Sequence, residues 1–287
     1  MTEQFEPALR RLLWDLRDYL PDLIVVGGWV PYLYQRYGGF PGWTGAISLT
    51  GEVDVLVGPR AQGQNRPPLE ELLRASGFEP IEGTQGAAWQ RDPAVGEKIE
   101  FLIPNTGTQR QEGSPQPVPG QAGVAAVALD DLRLLERHTT TLNIPLTVAG
   151  APPQQLTIRV PTLGAYVVNK AITFIKRRTV VVLGVPVGNP KRGKDLLYLY
   201  DVLAGGAEVA DRVSADVEAM GGSDPAAPLV MRQAAGQLRM ALRDRSAPLV
   251  ECEAMLMERD GFSRAEAGAR LTGYLTDLIE IIETHAV

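Results

Sequence analysis

The chain reads Thr-Gly-Glu-Val-Asp-Val-Leu-Val at residues 50–57. This alternation of acidic and apolar residues predicts a half-buried β-strand, in which successive side chains point to opposite faces. Glu52 and Asp54 then project from one face, and the valines between and after them project from the other. A second apolar run, residues 98–103, carries one more carboxylate at Glu100. If the two strands are neighbours in one sheet, the three carboxylates converge.

Glu52, Asp54 and Glu100 would together form an acidic cluster. Carboxylates that lie close together repel one another unless a cation lies among them or they take up protons. Carboxylate oxygens suit Mg²⁺, with Mn²⁺ as the alternative, and a trio that holds two such ions can support in-line displacement at phosphorus. The competing interpretation is a solvated strand face on which the acidic residues have no special role.

A glycine pair, Gly27-Gly28, follows the apolar run Leu23–Val26, and a short helix is predicted from about 29 to 37. The pair has two interpretations. It is a tight turn, or the missing Cβ atoms let the backbone approach a phosphate while the following helix supplies N–H donors and a positive dipole.

The pattern along the chain predicts an α+β fold with two domains. Residues 1–160 would form a mixed sheet flanked by helices, and residues 161–287 an all-helical domain. Residues 104–124 are rich in Gly, Pro and Gln, so a mobile insertion is expected there. Further strands are predicted near 78–82, 86–91 and 97–103, with a hairpin formed by 140–148 and 154–160. Helices are predicted over 5–20, 162–178, 193–203, 209–220, 228–245, 248–259 and 263–284. Thr162 is the expected N-cap of the second of these helices, and a Val-rich connection is expected over 179–190.

The net charge, the cysteine count and the lengths of the apolar runs limit the functional classes to which the chain can belong. The 287 residues carry a net charge of −6, so a generally basic nucleic-acid binder is not indicated. Cys252 is the only cysteine, which excludes an intramolecular disulfide and favours a cytoplasmic location. No apolar run reaches the ~18–20 residues needed to span a bilayer, so no membrane partner is expected.

The glycine pair and the carboxylates, taken together, resemble the DNA polymerase β-type nucleotidyltransferase superfamily. In that superfamily a glycine pair opens a helix after the first strand, an acidic pair lies on the next strand, and a third carboxylate lies further on. The matching residues here are Gly27-Gly28-Trp29, Glu52-Val53-Asp54 and Glu100.

Two features of the second half look like the AbiEii-type branch of that superfamily, which includes toxins of toxin–antitoxin and abortive-infection systems. Lys170 lies in Val-Val-Asn-Lys-Ala-Ile-Thr-Phe-Ile-Lys-Arg-Arg, and Lys194-Asp195 lies in Arg-Gly-Lys-Asp-Leu-Leu-Tyr-Leu-Tyr-Asp. Without the resemblance, Lys170 is also consistent with a lysine that reaches to solvent, and Lys194-Asp195 with an ordinary helix start.

The resemblance implies an enzyme that moves a nucleoside monophosphate from an NTP to an acceptor hydroxyl and releases pyrophosphate. The catalytic residues, which would also ligate two Mg²⁺ ions, are Glu52, Asp54 and Glu100. The residues expected to bind nucleotide are Gly27, Gly28, Lys170, Lys194 and Asp195.

The acceptor is open between two classes. The toxin branch implies an RNA such as tRNA, with an antitoxin as a protein partner, whereas antibiotic-modifying relatives use a small aminoglycoside-like acceptor. A cationic zone favours RNA, because it could receive a phosphate backbone; its members are Lys176, Arg177, Arg178, Lys191 and Arg192. A protein that keeps the fold and binds nucleotide without turnover is the remaining alternative.

Three positions need a structural explanation. Trp29 stands where many relatives have Ser, although the Gly-Gly-Trp form occurs among the antibiotic adenylyltransferase relatives. Small or apolar residues occupy 46–48, where the branch often has an Arg. Asp201 lies two helical turns after Lys194, and the sequence is equally consistent with a structural and a functional role for it.

Overall fold

The computed structural model describes residues 2–58, 66–91, 97–105, 112–146, 154–175, 179–182, 185–188 and 192–286. The chain divides into two compact units. The first contains residues 1–39 and 49–161, and the second contains residues 40–48 and 162–287. The segment 40–48 therefore groups with the C-terminal helices, an association that the sequence pattern did not predict.

The first unit is a mixed sheet with helices. Its helices are α1 (Thr2–Asp15), α2 (Val30–Tyr37), α3 (Leu69–Ala75) and α4 (Leu132–Arg137). Its strands are β1 (Leu23–Val26), β2 (Glu52–Val57), β3 (Glu79–Pro80), β4 (Ala88–Arg91), β5 (Glu97–Pro104), β6 (Pro115–Pro117), β7 (Ala125–Leu129), β8 (Thr139–Leu146) and β9 (Gln154–Pro161). Single 3₁₀ turns at Leu20–Asp22 and Gly27–Trp29 flank β1.

The order of strands across the sheet is β3-β4-β5-β2-β1-β9-β8, and β7 pairs with both β5 and β6. β2 is antiparallel to β1 and parallel to β5. The predicted neighbour relation of the two acidic strands is therefore present. The predicted hairpin of β8 and β9 is confirmed as well, with Leu142 opposite Ile158 in an antiparallel ladder.

Apolar residues that are buried on both faces hold the centre of this sheet together. All four residues of β1 are buried, as a strand between two neighbours requires. Helix α1 buries Leu9, Leu12 and Leu13 at the spacing from which a helix was predicted, and Leu16, directly after its end, is buried as well. This helix ends at Asp15, whereas the sequence predicted an extension to residue 20.

The second unit consists mainly of helices. They are α5 (Leu163–Thr173), α6 (Arg192–Leu203), α7 (Ala207–Ser223), α8 (Ala227–Asp244), α9 (Ala247–Asp260) and α10 (Arg264–His285). Helix α5 packs against α6, α7 and α8, and α10 packs against α7, α8 and α9. The hydroxyl of Thr162 accepts a hydrogen bond from the backbone N–H of Ala165, so Thr162 is the N-cap of α5, as its sequence position predicted.

Two segments of the fold differ from the sequence-based prediction. The C-terminal part is not purely helical, because β10 (Thr179–Val182) and β11 (Val185–Gly188) form an antiparallel hairpin where a Val-rich connection was expected. The other segment is the expected mobile insertion, 104–124. Residues 106–111 of it lie outside the described part of the chain, but residues 112–124 carry β6 and bury Val118 and Val124.

Gln121 explains how this Gly- and Pro-rich segment is held against the sheet domain. Its side chain is 3% exposed, and its carbonyl oxygen accepts a hydrogen bond of 2.8 Å from the backbone N–H of Leu69. Leu69 is the first residue of α3, whose N-terminal N–H groups have no partner inside the helix. The glutamine therefore serves as a cap supplied from a distant part of the chain.

Among the described residues, no helix combines the length and the apolar character needed to cross a bilayer.

Candidate metal centre

The acidic cluster is built by two parallel strands in register. Asp54 of β2 lies opposite Glu100 of β5, and Glu52 lies opposite Lys98. Val53 and Val55 point to the buried face of the sheet, which leaves the three carboxylates on the other face. One carboxylate oxygen each from Glu52, Asp54 and Glu100 lies within 4.8 Å of the other two. The predicted convergence of the three side chains is present.

Gly27 lies directly against this cluster. Val26 pairs with Asp54 in the β1–β2 ladder, and the chain then turns at Gly27 with φ of +71°. A Cβ atom at Gly27 would come within 2.0 Å of Asp54 Oδ2. Both the left-handed backbone and the close contact require glycine here. The glycine pair is thus a tight bend that brings the backbone against Asp54, and the start of α2 follows it within three residues.

Trp29 has a structural task that explains its presence after the glycine pair. Its indole Nε1 donates a hydrogen bond of 3.1 Å to the carbonyl oxygen of Glu52, and the ring is 1% exposed. The Thr50 hydroxyl donates to the same oxygen at 2.7 Å. The first residue of the acidic strand is therefore fixed through its backbone from two sides. Nothing in the sequence indicated this contact, because the partners are 23 residues apart.

Lys98 is a member of the cluster to which the sequence interpretation assigned no role. Its Nζ donates a hydrogen bond of 2.7 Å to Glu52 Oε1. Burial on its own would lower the pKa of Lys98, but the hydrogen bond to Glu52 and the charges of the three carboxylates outweigh it and raise the pKa. The available signal was its position two residues before Glu100, which places both side chains on one face of β5.

The chemistry of the cluster fits a divalent cation. Its ligand atoms are carboxylate oxygens, the donors that Mg²⁺ and Mn²⁺ prefer. All three side chains are half-buried, so solvent ions can reach them while the field of the charges is only partly screened. A divalent ion at the trio would offset the repulsion among the three carboxylates.

The second unit contains the other predicted site residues. Lys170 of α5 donates a hydrogen bond of 2.8 Å to Asp195 Oδ1 of α6, and Thr173 donates to the other carboxylate oxygen at 3.3 Å. The ammonium of Lys170 lies 5.4 Å from the centre of the Tyr198 ring, and that of Lys194 lies 5.7 Å from it. Lys170, Lys194 and Asp195 are thus brought together around one tyrosine.

Asp201, whose role the sequence left open, is a buried structural carboxylate. It is 1% exposed and accepts hydrogen bonds from the Ser48 backbone N–H at 2.8 Å and from Arg259 Nη1 at 2.5 Å. Burial raises the pKa of Asp201, and the charge of Arg259 together with the two contacts to Ser48 and Arg259 opposes that rise. These contacts bind the segment 40–48 to α6 and α9.

The cationic zone predicted to receive RNA lies largely beyond what the structure describes. Residues 176–178 and 191 are outside the described residues, and Arg192 is described only as the first residue of α6.

The chain matches a known protein family. A family model described as nucleotidyltransferase matches residues 11–214. The matched range includes the glycine pair, all three carboxylates and the Lys170–Asp195 pair. No curated protein and no solved structure matches the chain.

Proposed function

The chain belongs to the nucleotidyltransferase family, and on this premise we propose that it transfers a nucleoside monophosphate from an NTP to an acceptor hydroxyl. The observation that carries the proposal is the trio Glu52, Asp54 and Glu100, whose oxygens lie within 4.8 Å of one another beside the Gly27 bend. Two oxygens that share one Mg²⁺ lie at most about 4.2 Å apart, so small side-chain adjustments suffice for shared ions. The family itself implies an NTP as substrate.

Glu52, Asp54 and Glu100 would hold the two divalent ions of the proposed reaction. The ions would supply charge neutralisation at the phosphate oxygens, a lowered pKa of the attacking hydroxyl and stabilisation of the departing pyrophosphate. Glu100 is proposed to accept the proton of the acceptor hydroxyl, directly or through water. The remaining contribution of the protein is to position the reactants and stabilise developing charge.

Gly27 and Gly28 are proposed to face the triphosphate. The positive φ of Gly27 and the absence of a side chain keep the backbone accessible where the first turn of α2 begins. The N–H groups of a helix start carry partial positive charge and bind phosphate oxygens. A proposed contact with phosphate at this bend is consistent with its position next to Asp54.

Lys170, Lys194 and Asp195 are proposed to take part in nucleotide binding. Two lysines near one tyrosine ring offer charge for phosphate oxygens, and Asp195 orients Lys170 through the hydrogen bond described above. This assignment predicts that Lys170→Met raises KM for NTP while leaving the melting temperature of the ligand-free protein within about 3 °C. An unchanged KM would remove Lys170 from the binding residues.

We propose RNA, with tRNA as the first candidate, as the acceptor. The support is the run of cationic residues between 176 and 192, which is unusual in a chain of net charge −6. A cationic aminoglycoside-like acceptor would favour an acidic pocket instead. In this proposal the protein acts as a toxin of a toxin–antitoxin or abortive-infection system, and an antitoxin would be its protein partner.

The test is transfer of label from each α-³²P-labelled NTP, with Mg²⁺ or Mn²⁺, to total RNA, purified tRNA or an aminoglycoside panel. Label on RNA with the wild type but not with Asp54→Asn supports the proposal. Asp22→Asn is the matched control, because Asp22 pairs with Arg66 at the far end of β2 from the trio. Label on an aminoglycoside would replace RNA as the acceptor, and nucleotide binding without transfer to any acceptor would contradict the proposed enzyme activity.

The toxin role has its own test. Induced expression of the wild type in a bacterial host should arrest growth, and Asp54→Asn expressed at the same level should not. Arrest by both proteins, or by neither, contradicts a toxin that acts through this site.

A further inference from the structure

The position of Lys98 sets it apart from the other lysines of the described chain. It is the register partner of Glu52 across β2 and β5, and it precedes Glu100 by two residues on the same strand face. Its Nζ lies 2.7 Å from Glu52 Oε1, and the two side chains are 32% and 21% exposed. Lys98 therefore belongs to the same half-buried surface as the three carboxylates.

The ammonium of Lys98 lies against one member of the trio. It donates to Oε1 of Glu52, and Glu52 offers one of its two carboxylate oxygens to the acidic cluster. A lysine and a divalent ion that share one carboxylate repel each other, so an ion bound at Glu52 weakens the contact with Lys98. Lys98 thus brings one positive charge to the three carboxylates from the strand position opposite Glu52.

We propose that Lys98 is a positioning residue that acts as the resident counter-cation of the trio and must release Glu52 Oε1 when a divalent ion binds. The inference rests on the proposed function, because it needs the trio to be a metal site. It assigns Lys98 two effects. The lysine keeps Glu52 in place in the metal-free protein, and it weakens binding of a divalent ion in the absence of nucleotide.

The first test measures the Kd of Mn²⁺ alone by calorimetry or electron paramagnetic resonance. We expect Lys98→Met to lower the Kd about three- to tenfold relative to the wild type, because one competing cation has been removed. The Mn²⁺-dependent rise in melting temperature should also be larger in Lys98→Met, since its metal-free state has lost the counter-cation.

Arg66→Met is the matched control for this measurement. It also removes a cation from a carboxylate partner, at 2.6 Å, with side chains 22% and 13% exposed, but at the far end of β2. The Kd of Mn²⁺ should stay at the wild-type value in Arg66→Met. An unchanged or raised Kd in Lys98→Met overturns the inference, since a purely structural ion pair would lower stability equally with and without Mn²⁺.

A second test uses the wild type and does not depend on whether a variant folds. Lysines are acylated with an amine-reactive reagent with and without Mn²⁺, and the modified peptides are quantified by mass spectrometry. Lys98 should react faster with Mn²⁺, because its Nζ no longer donates to Glu52. Equal or slower reaction of Lys98 with Mn²⁺ contradicts the proposed release.

Mn²⁺ binding by the wild type and by Lys98→Met distinguishes an error in the metal site from an error in the role of Lys98. If the wild type binds no Mn²⁺ at the trio, the metal-dependent function itself is wrong, and the role of Lys98 falls with it. If the wild type binds Mn²⁺ and Lys98→Met changes neither the Kd nor the Mn²⁺-dependent stabilisation, the metal site stands and only the role of Lys98 is wrong.

Discussion

Two acidic sites of the described chain differ in how deeply their carboxylates are buried and in which groups contact them. Asp201 is almost fully buried, and Arg259 and the Ser48 N–H satisfy its oxygens. The trio of Glu52, Asp54 and Glu100 is only half-buried and brings three carboxylates together with one adjacent lysine. A buried carboxylate with hydrogen-bond partners organises structure, whereas three converging carboxylates within reach of solvent suit a cation.

The comparison separates two measurable properties. Substitution at the trio should change reaction and metal binding far more than stability, and substitution at Asp201 should do the reverse.

The largest effect is expected from Asp54→Asn. It should lower nucleotidyl transfer on the order of 10³-fold or more, because a metal ligand and its charge are lost from the site of reaction. The melting temperature of the metal-free protein should stay nearly unchanged, since the side chain is half-buried and asparagine keeps its shape. Transfer assays and calorimetry on one preparation test both statements, and full activity would exclude Asp54 as a ligand.

Asp201→Asn should instead lower the stability of the folded protein. Removing the charge that faces a partly buried guanidinium is expected to lower the free energy of unfolding by about 3 kcal/mol. Urea denaturation measures this change, and the Kd of Mn²⁺ in the folded variant should match the wild type. A variant with unaltered stability but lost metal binding would place Asp201 among the functional residues.

Gly27→Ala tests whether the close approach of Gly27 to Asp54 is needed for metal binding. The added Cβ would meet Asp54 Oδ2 at 2.0 Å, and alanine is strained at a φ of +71°. We expect about 1–2 kcal/mol of destabilisation from the backbone alone and at least a tenfold weaker Mn²⁺ binding from the displaced carboxylate.

Gly39→Ala is the control for that backbone strain. Gly39 has a φ of +80°, but a Cβ there would meet nothing within 4 Å. Its variant should lose similar stability and keep wild-type Mn²⁺ affinity. If the two alanine variants bind Mn²⁺ equally well, the contact between Gly27 and Asp54 has no part in the site.

The smallest effect is expected from Trp29→Phe. It removes the indole hydrogen bond to the Glu52 carbonyl but keeps a buried ring, so about 1 kcal/mol of stability should be lost. Thr50 still donates to that oxygen, and a double variant with Thr50→Val should therefore lose more activity than the sum of the two single changes. Additive effects in the double variant would show that the two donors do not act on one shared carbonyl.

The parts of the fold that the sequence predicted are those governed by local periodicity. Alternation over 50–57 and the apolar run at 98–103 predicted β2 and β5, and their neighbour relation followed from the hypothesis of one site. The hairpin of β8 and β9 and the C-terminal helices were predicted for the same reason.

The features that sequence reasoning missed depend on contacts between distant residues. The position of Lys98 two residues before Glu100 indicates its face of the strand, but not that it pairs with Glu52, 46 residues away. β7 lies in an Ala- and Val-rich stretch whose short apolar run does not distinguish strand from helix, and β6 pairs with it despite its prolines. The segment 40–48 joins the second unit through Asp201 and Arg259, which no local pattern could indicate.

The most direct measurement is the anomalous X-ray scattering of Mn²⁺ in crystals soaked with the ion. We predict at least one strong anomalous peak about 2.1 Å from carboxylate oxygens of Glu52, Asp54 and Glu100 in the wild type, and none there in Asp54→Asn. Peaks only at other positions in well-diffracting wild-type crystals, at Mn²⁺ concentrations that saturate binding in solution, would contradict a metal-dependent transferase built on these three residues.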